Sequence, residues 1–405
     1  MFKVVILGTD INAYYMARNF HEEYNIKVHI IGKQEMNFTR FSDILTYEIE
    51  PNLWDNEAFK QVLKSYALNH KEDKLVLVAS NDHYVRLIVE NKEFLSKYYL
   101  FNYPSLEIIN NLLIKDNFYT KFKSYDLDMP LTYIYKCNSD KLDLDEINKF
   151  MYPIIIKPGN GVTYYEHEFK GQAKVYKVMS EEELKEVVSK IEASGYSDNL
   201  IIQEYIPGDD SLLFDSILYV NTKGEVELMS FAQIALQEHT PTGIGNCTVL
   251  VNGFNEFKNT NLIKDKLKKF LSDIGYTGIA EFDLKYDTRD QKFKVFEINP
   301  RQARSSYYLT ACGYNLAKYL IDDLIYNKTH KFKLIEDKMV LSFVPKKVIK
   351  KYVENAKIKK EIFKLIKEGK FVRPLRYKKD KNLKRRLWLF LRDYNYMKKY
   401  KENTW

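Results

Sequence analysis

Cysteine is scarce in this chain of 405 residues, with only Cys137, Cys247 and Cys312 present. They form no C-x-x-C pair, and their odd number argues against a disulfide framework. No apolar run approaches the length of a membrane span. The opening stretch, residues 1–7, is a strand only a few residues long before Gly8, too short for the apolar region of a signal peptide. There is no internal repeat or low-complexity tract. None of the 7 histidines has metal-ligand spacing, and the chemistry read below calls for no Ser-His-Asp or Cys-His set. The loop at Gly8 lacks the G-x-G-x-x-G pattern on which dinucleotide binding rests. What is present is 45% apolar content, enough for two or three subdomains with cores of their own, and a cytoplasmic location is expected.

The first third reads as doubly wound α/β. Residues 2–7 and 26–31 form parallel strands around a helix from about Ile11 to Tyr24. Residues 74–79 give a third strand, followed by Ser80-Asn81-Asp82 and a helix. Loops at the carboxyl ends of such strands are where ligands bind. Gly8 by itself is read as a structural turn glycine. Further on, Tyr152-Pro153-Ile154-Ile155-Ile156-Lys157-Pro158 is a short apolar strand delivering a lysine at its end, before the flexible Gly159-Asn160-Gly161. Ser180-Glu181-Glu182-Glu183 is a capping box that opens a structural helix, stopped by Gly195. Residues 200–206 form a second apolar strand that leads into Pro207-Gly208-Asp209-Asp210, a turn with two carboxylates.

The densest pattern lies at 278–301. In GIAEFDLKY, Ala280, Phe282, Leu284 and Tyr286 alternate with Glu281, Asp283 and Lys285, the period-2 signature of a half-buried strand. A polar turn follows at 287–291, and residues 292–299 run back as a second strand. With the turn centred near Arg289, odd positions face odd positions, which puts Asp283, Glu297 and Asn299 on one face beside Arg301. Hard oxygen donors of this kind suit Mg²⁺, which is usually completed by waters and substrate phosphates. Read alone, the same residues are equally the wet face of an antiparallel sheet.

A lysine strand, a hinge strand followed by acidic residues, and then Asp…Glu-x-Asn-x-Arg, in that order, resembles the ATP-grasp superfamily. Closer likeness is carried by Ile206-Pro207-Gly208-Asp209-Asp210-Ser211, Thr240-Pro241-Thr242-Gly243-Ile244-Gly245-Asn246, Phe282-Asp283-Leu284-Lys285-Tyr286-Asp287 and Phe296-Glu297-Ile298-Asn299-Pro300-Arg301-Gln302-Ala303-Arg304-Ser305-Ser306. The start, Leu7-Gly8-Thr9-Asp10-Ile11-Asn12-Ala13-Tyr14 with Met16-Ala17-Arg18, belongs with them. These segments look like the bacterial D-aspartate ligases of peptidoglycan synthesis, and the likeness covers most of residues 1–330.

The resemblance implies a pre-ATP-grasp α/β domain at 1–110, which helps hold the amino-acid or acceptor substrate. An α+β grasp follows, with an N-terminal subdomain at 111–202 and a C-terminal subdomain at 203–335. It implies ATP and one or two Mg²⁺ as cofactors. Lys115 and Lys157 would contact the phosphates, and Lys170, in the glycine loop 168–174, would belong to a phosphate lid. That loop is equally well explained as a plain β-turn. Backbone groups of Glu204, Tyr205 and Ile206 would hold the adenine. Gln203, where an acidic residue is commoner, would address the exocyclic amine, and Asp210 the ribose.

Asp283, Glu297 and Asn299 would bind the metal. Arg301 would stabilise the transferring phosphoryl group, and Arg304 would bind a substrate carboxylate unless it is simply a surface ion pair. Glu281 or a phosphate would take the proton of the attacking amine. The implied reaction phosphorylates the β-carboxylate of D-aspartate and couples it to the lysine ε-amine of a UDP-linked muramyl pentapeptide. A ligase for other amino acids or dipeptides, and a non-catalytic nucleotide-binding or scaffold protein on the same fold, are the alternatives.

Residues 336–405 are expected to form a basic helical extension. Residues 345–401 carry 22 Lys and Arg against 5 Asp and Glu, a net +17, so the rest sums to about −9 of the total +8. Trp388, Leu389, Phe390, Leu391, Tyr394 and Tyr396 are interleaved with this charge. Four readings compete: a docking surface for an anionic acceptor, an amphipathic helix on an anionic membrane, a nucleic-acid patch, which ranks last of these three, and a solvated helical appendage.

Overall fold

A computed structural model of the chain describes residues 1–139, 141–240, 243–254 and 256–403. Three sheets organise them. The first is wholly parallel, in the order Leu45–Ile49, Val28–Gly32, Phe2–Leu7, Lys74–Ala79 and Tyr99–Leu100. Helix Ile11–Tyr24 opens on Asp10, whose carboxylate accepts from the N–H groups of Asn12 and Ala13 at 2.9 and 3.0 Å. The doubly wound start expected from the sequence is therefore present. The expected edge at residue 110 falls inside helix Leu106–Leu113.

The second sheet is antiparallel, in the order Thr132–Lys136, Asn199–Glu204, Ile154–Pro158 and Tyr176–Val178. Helix Glu181–Ala193 packs on it, with Ser180 capping the Glu183 N–H. Its last turn is closed at Gly195, which has φ +92°. Because Asn199–Glu204 belongs to this sheet, the change to the next unit comes after Glu204 and not at 202.

The third sheet has nine strands, with Lys292–Asn299, Gly278–Asp287, Leu213–Val220, Ala232–Gln237, Cys247–Asn252, Met339–Ser342 and Phe371–Val372 side by side. Val226–Ser230 and Lys333–Ile335 complete it. The sheet corrects the expected C-terminal extension. Met339–Ser342 pairs with Cys247–Asn252 and in turn receives Phe371–Val372, so residues 336–405 are partly strand and integral to the sheet. The apolar run Val340-Leu341, fully buried, is what draws the segment in.

The closing helix, Leu383–Glu402, is latched on its inner side. Arg385 forms a 2.9 Å ion pair with Asp380, donates to the Phe38 carbonyl and stacks over the Tyr14 ring at 3.6 Å. Both charged side chains are 1% exposed. Asp380 also accepts from Tyr14, Ser42 and the Asp43 N–H. The appendage reading is excluded by these contacts.

Candidate active site

The two strands of the Asp283–Glu297 hairpin pair Glu281 with Asn299 and Asp283 with Glu297. The odd-to-odd pairing expected from the sequence is realised, but not by the turn. Nearer the turn the partners are odd-to-even, Lys285 with Lys294 and Asp287 with Lys292. A bulge at Phe296 inserts one residue and restores the parity, which places both carboxylates on the same face. Tyr119 donates to the Phe296 carbonyl at 2.5 Å and pins the bulge.

This face forms one wall of a cavity of about 1010 Å³ lined by the second and third sheets and by residues that follow two strands of the first, Asp10, Ile11, Asn12 and Asp82. Lys157 reaches it from the end of its strand, with Nζ donating to Gln203 Oε1 at 3.3 Å and lying over the Phe296 ring. Burial, with Lys115 nearby, holds the Lys157 ammonium down to about 8. Glu297 is pushed the opposite way. Burial alone would raise it, but the ammonium groups of Lys115, Lys174 and Lys157 hold its carboxyl down to about 2. Across the strand, burial raises Asp283 well above the carboxylate range, reinforced by Glu281 and Glu297. Burial and the Asp215 charge push Glu281 up to about 8. Asp215 itself, on the neighbouring strand and registered opposite Asp283, is pushed up to about 7, chiefly by burial.

Such crowding of carboxylates is a donor set that a cation would relieve. Among the described residues no group of three or more His, Cys, Asp or Glu side chains is arranged as a ready-made metal cage. Two carboxylates with an amide and open positions suit Mg²⁺ better than a closed cage would, because that ion keeps waters and substrate phosphates in its shell. Asn299 donates its amide to Glu281 and, at 3.4 Å, to Asp283, while its carbonyl oxygen accepts from Arg301 at 3.1 Å.

Arg301 joins the site to the first domain. Its guanidinium makes a 2.9 Å ion pair with Asp82, which begins the helix after strand Lys74–Ala79. The next residue, Gln302, donates to the Ala79 carbonyl at 2.7 Å. Arg304 faces Glu238 at 4.0 Å and lines the cavity. Ser305 donates to Asp215.

The structure thus brings together Lys115, Lys157, Gln203, Glu204, Tyr205, Ile206, Asp210, Glu281, Asp283, Glu297, Asn299, Arg301 and Arg304 around one cavity. Several have partners the sequence did not foretell. Gln203 is locked between Lys157 and Thr132, to whose hydroxyl it donates at 2.8 Å. The Glu204 N–H is taken by the Leu131 carbonyl at 3.0 Å, and its carboxylate by the Leu131 N–H and Arg289. Asp210 accepts from the Gln237 backbone and side chain at 2.9 and 2.6 Å.

Lys170 is exposed and does not line the cavity. The loop passes over Gly171, at φ +88°, and delivers Lys174 instead, whose Nζ donates to the Ile244 carbonyl at 3.4 Å. Pro241 and Thr242 of the 240–246 motif lie outside the described residues.

Sequence reasoning missed Asp10, Asn12 and Asp82, which the first domain contributes. It also missed Asp215, Lys177 and Lys285. The strand-end rule invoked for the first domain could have found Asp10 and Asp82. Lys285, whose ammonium burial pushes down to about 8, donates to the Gly208 carbonyl at 2.9 Å. With Lys177 it lies over the Tyr205 ring. Tyr352, Glu354 and Asn355 of the C-terminal segment line the same cavity, and Asn355 donates to Ser211 Oγ at 2.9 Å.

No family model matches the chain. Its fold is shared with an N5-carboxyaminoimidazole ribonucleotide synthetase in complex with ADP, at TM-score 0.61 and 14% identity, covering 84% of this chain and 81% of that one. It is shared also with an L-amino acid ligase from Bacillus licheniformis, at TM-score 0.58 and 17% identity, covering 80% and 74%. The N5-carboxyaminoimidazole synthetase of Staphylococcus aureus complexed with ADP gives 0.62 and 15%, covering 84% and 81%. In sequence, the chain is 33% identical to a protein of Enterococcus faecium named D-aspartate ligase, over 98% of this chain and 96% of that protein. With its likeness running nearly end to end, and with the lysines, acidic strands and Arg301 gathered at one cavity of an ATP-grasp fold, the chain belongs to the D-aspartate ligase family of ADP-forming, ATP-grasp carboxylate–amine ligases.

Proposed function

We propose that this ligase phosphorylates the β-carboxylate of D-aspartate and joins it to the lysine ε-amine of a UDP-linked muramyl pentapeptide, a step of peptidoglycan cross-bridge synthesis. The observation that carries the reading is the charge order of the cavity wall. Three ammonium groups hold Glu297 ionised, beside raised carboxyls on Asp283 and Glu281 and the Arg301 guanidinium. The fold likeness to ADP-bound relatives and the 33% identity to a D-aspartate ligase support it.

In this reading Lys115, Lys157 and Lys174 bind the nucleotide phosphates, and Glu204 to Ile206 and Asp210 hold adenine and ribose. Asp283, Glu297 and Asn299 would hold Mg²⁺, which when bound neutralises charge on the terminal phosphates. A carboxylate oxygen of the acid attacks the γ-phosphorus and ADP leaves. The amine nitrogen then attacks the acyl carbon, the amide C–N bond forms and inorganic phosphate leaves. Arg301 stabilises the transferring charge, and Arg304 binds the second carboxylate of the amino acid. Glu281, with its carboxyl pushed up to about 8, is matched to receive the amine proton near neutral pH.

The test is an ADP-release screen of D- and L-amino acids with and without muramyl pentapeptide, with mass spectrometry of the product. D-aspartate should give ADP and a pentapeptide heavier by one aspartyl residue. A signal from another acid alone would replace the substrate. ATP binding with no acid-dependent turnover would leave a nucleotide-binding protein.

A further inference from the structure

The closing helix has a second face that the site does not use. Leu383, Leu387, Phe390, Leu391 and Tyr394 recur at helical spacing along its outer side and are between 50% and 77% exposed. The opposite side, through Arg385, Leu389, Tyr396 and Tyr400, is buried against the body of the protein. The helix is therefore held rigidly with an apolar stripe turned to solvent, contrary to the usual placement of such residues.

The charge beside this stripe has one sign. Lys378, Lys379, Lys381, Lys384 and Arg386 are all exposed, and among the described residues none has a carboxylate within ion-pairing distance. The three acids of residues 378–402 are already committed: Asp380 to Arg385, Asp393 to Arg373 and Arg376, and Glu402 to Lys398. An apolar ridge rimmed by uncompensated cations is complementary to an anionic lipid surface. The side chains would enter the headgroup boundary while the lysines and Arg386 meet lipid phosphates. A second copy of the chain is a poor occupant, because a two-fold contact would set each cationic rim against its twin. Nucleic acid would meet the cations but leave the aliphatic stripe without a partner.

We propose that the outer face of helix Leu383–Glu402 docks this protein on an anionic membrane surface. The geometry adds a consequence for the site. The far end of the same helix lies at the cavity wall, where Tyr400 donates to the Gln237 carbonyl at 2.6 Å and Lys399 reaches Glu238, the residue facing Arg304. Docking would thus fix the orientation of the cavity relative to the lipid.

Co-sedimentation of the full chain with phosphatidylglycerol–phosphatidylcholine vesicles, and with pure phosphatidylcholine vesicles, tests this. Partitioning to the anionic vesicles should exceed that to neutral ones by about tenfold or more and fall as salt is raised. A Leu387→Glu, Phe390→Glu double variant and a Lys378→Glu, Lys379→Glu, Lys381→Glu triple variant should each remove it, with circular dichroism and melting temperature unchanged. Equal binding to neutral vesicles, no binding, or retention by either variant would overturn the proposal. So would a dimer that the double variant dissolves, or duplex-oligonucleotide binding that the triple variant abolishes in place of vesicle binding. None of these outcomes depends on which acid the site activates.

Discussion

Replacing Lys157 with methionine should stabilise the protein while removing its hold on nucleotide. Burial with Lys115 nearby brings the Lys157 ammonium down to about 8 from an ordinary 10.5. At about 1.4 kcal/mol per tenfold change in protonation equilibrium, carrying that proton at neutral pH costs the folded state about 3 kcal/mol. Methionine keeps the length and the contact with the Phe296 ring, but it leaves Gln203 Oε1 without its donor, at about 1 kcal/mol. The ligand-free variant should therefore be more stable by roughly 1–3 kcal/mol in urea titrations at neutral pH.

The sign of the pH dependence follows from the same shift. The folded pKa lies below the unfolded one, so the wild-type penalty is full below about 8 and disappears as pH climbs towards 10.5. The advantage of the variant should shrink over that window. ATP should stabilise the wild type and leave the variant unmoved, because a lysine contributes its charge to phosphate only while protonated. A ligand-free variant less stable than wild type, or one still stabilised by ATP, would refute the reasoning.

Glu297→Gln removes the counter-charge of three ammonium groups and a metal donor, and acid-dependent ADP release should fall by about 100-fold or more with the circular dichroism spectrum intact. Asp82→Asn leaves the Arg301 guanidinium without its ionic partner across the domain junction. Since Asp82 is 37% exposed, the expected loss in kcat/KM is modest, about tenfold, read by steady-state kinetics. Arg385→Met should destabilise the fold by about 3–5 kcal/mol in urea titrations, because Asp380 is left buried without its cation.

Much of the site was legible because its residue types sit at strand ends, where a short sequence pattern fixes position. Strand Lys292–Asn299 and helix Ile11–Tyr24 have the bounds expected from the sequence. The common face of Asp283 and Glu297 was reached from the turn, whereas the bulge at Phe296 produces it. A bulge depends on what packs behind it, here Tyr119 from 177 residues away, and leaves no local signal. Lys174 replaced Lys170 for a similar reason, since loop direction is set by Gly171 and by the facing lobe at Ile244. The C-terminal segment misled because its charge masked a four-residue strand, Met339–Ser342, whose pairing partner lies about ninety residues earlier. Arg301 was identified by its spacing from Glu297, but its pairing with Asp82, which belongs to another domain, could be found only in three dimensions.

Trapping the activated acid tests the central claim most directly. With ATP, Mg²⁺, D-aspartate and hydroxylamine in place of the amine acceptor, the protein should release ADP and form the β-hydroxamate of D-aspartate in equal amounts. Asp283→Asn should abolish both. ATP bound without ADP release, or ADP released with no hydroxamate and no dependence on the acid, would contradict an acyl-phosphate ligase.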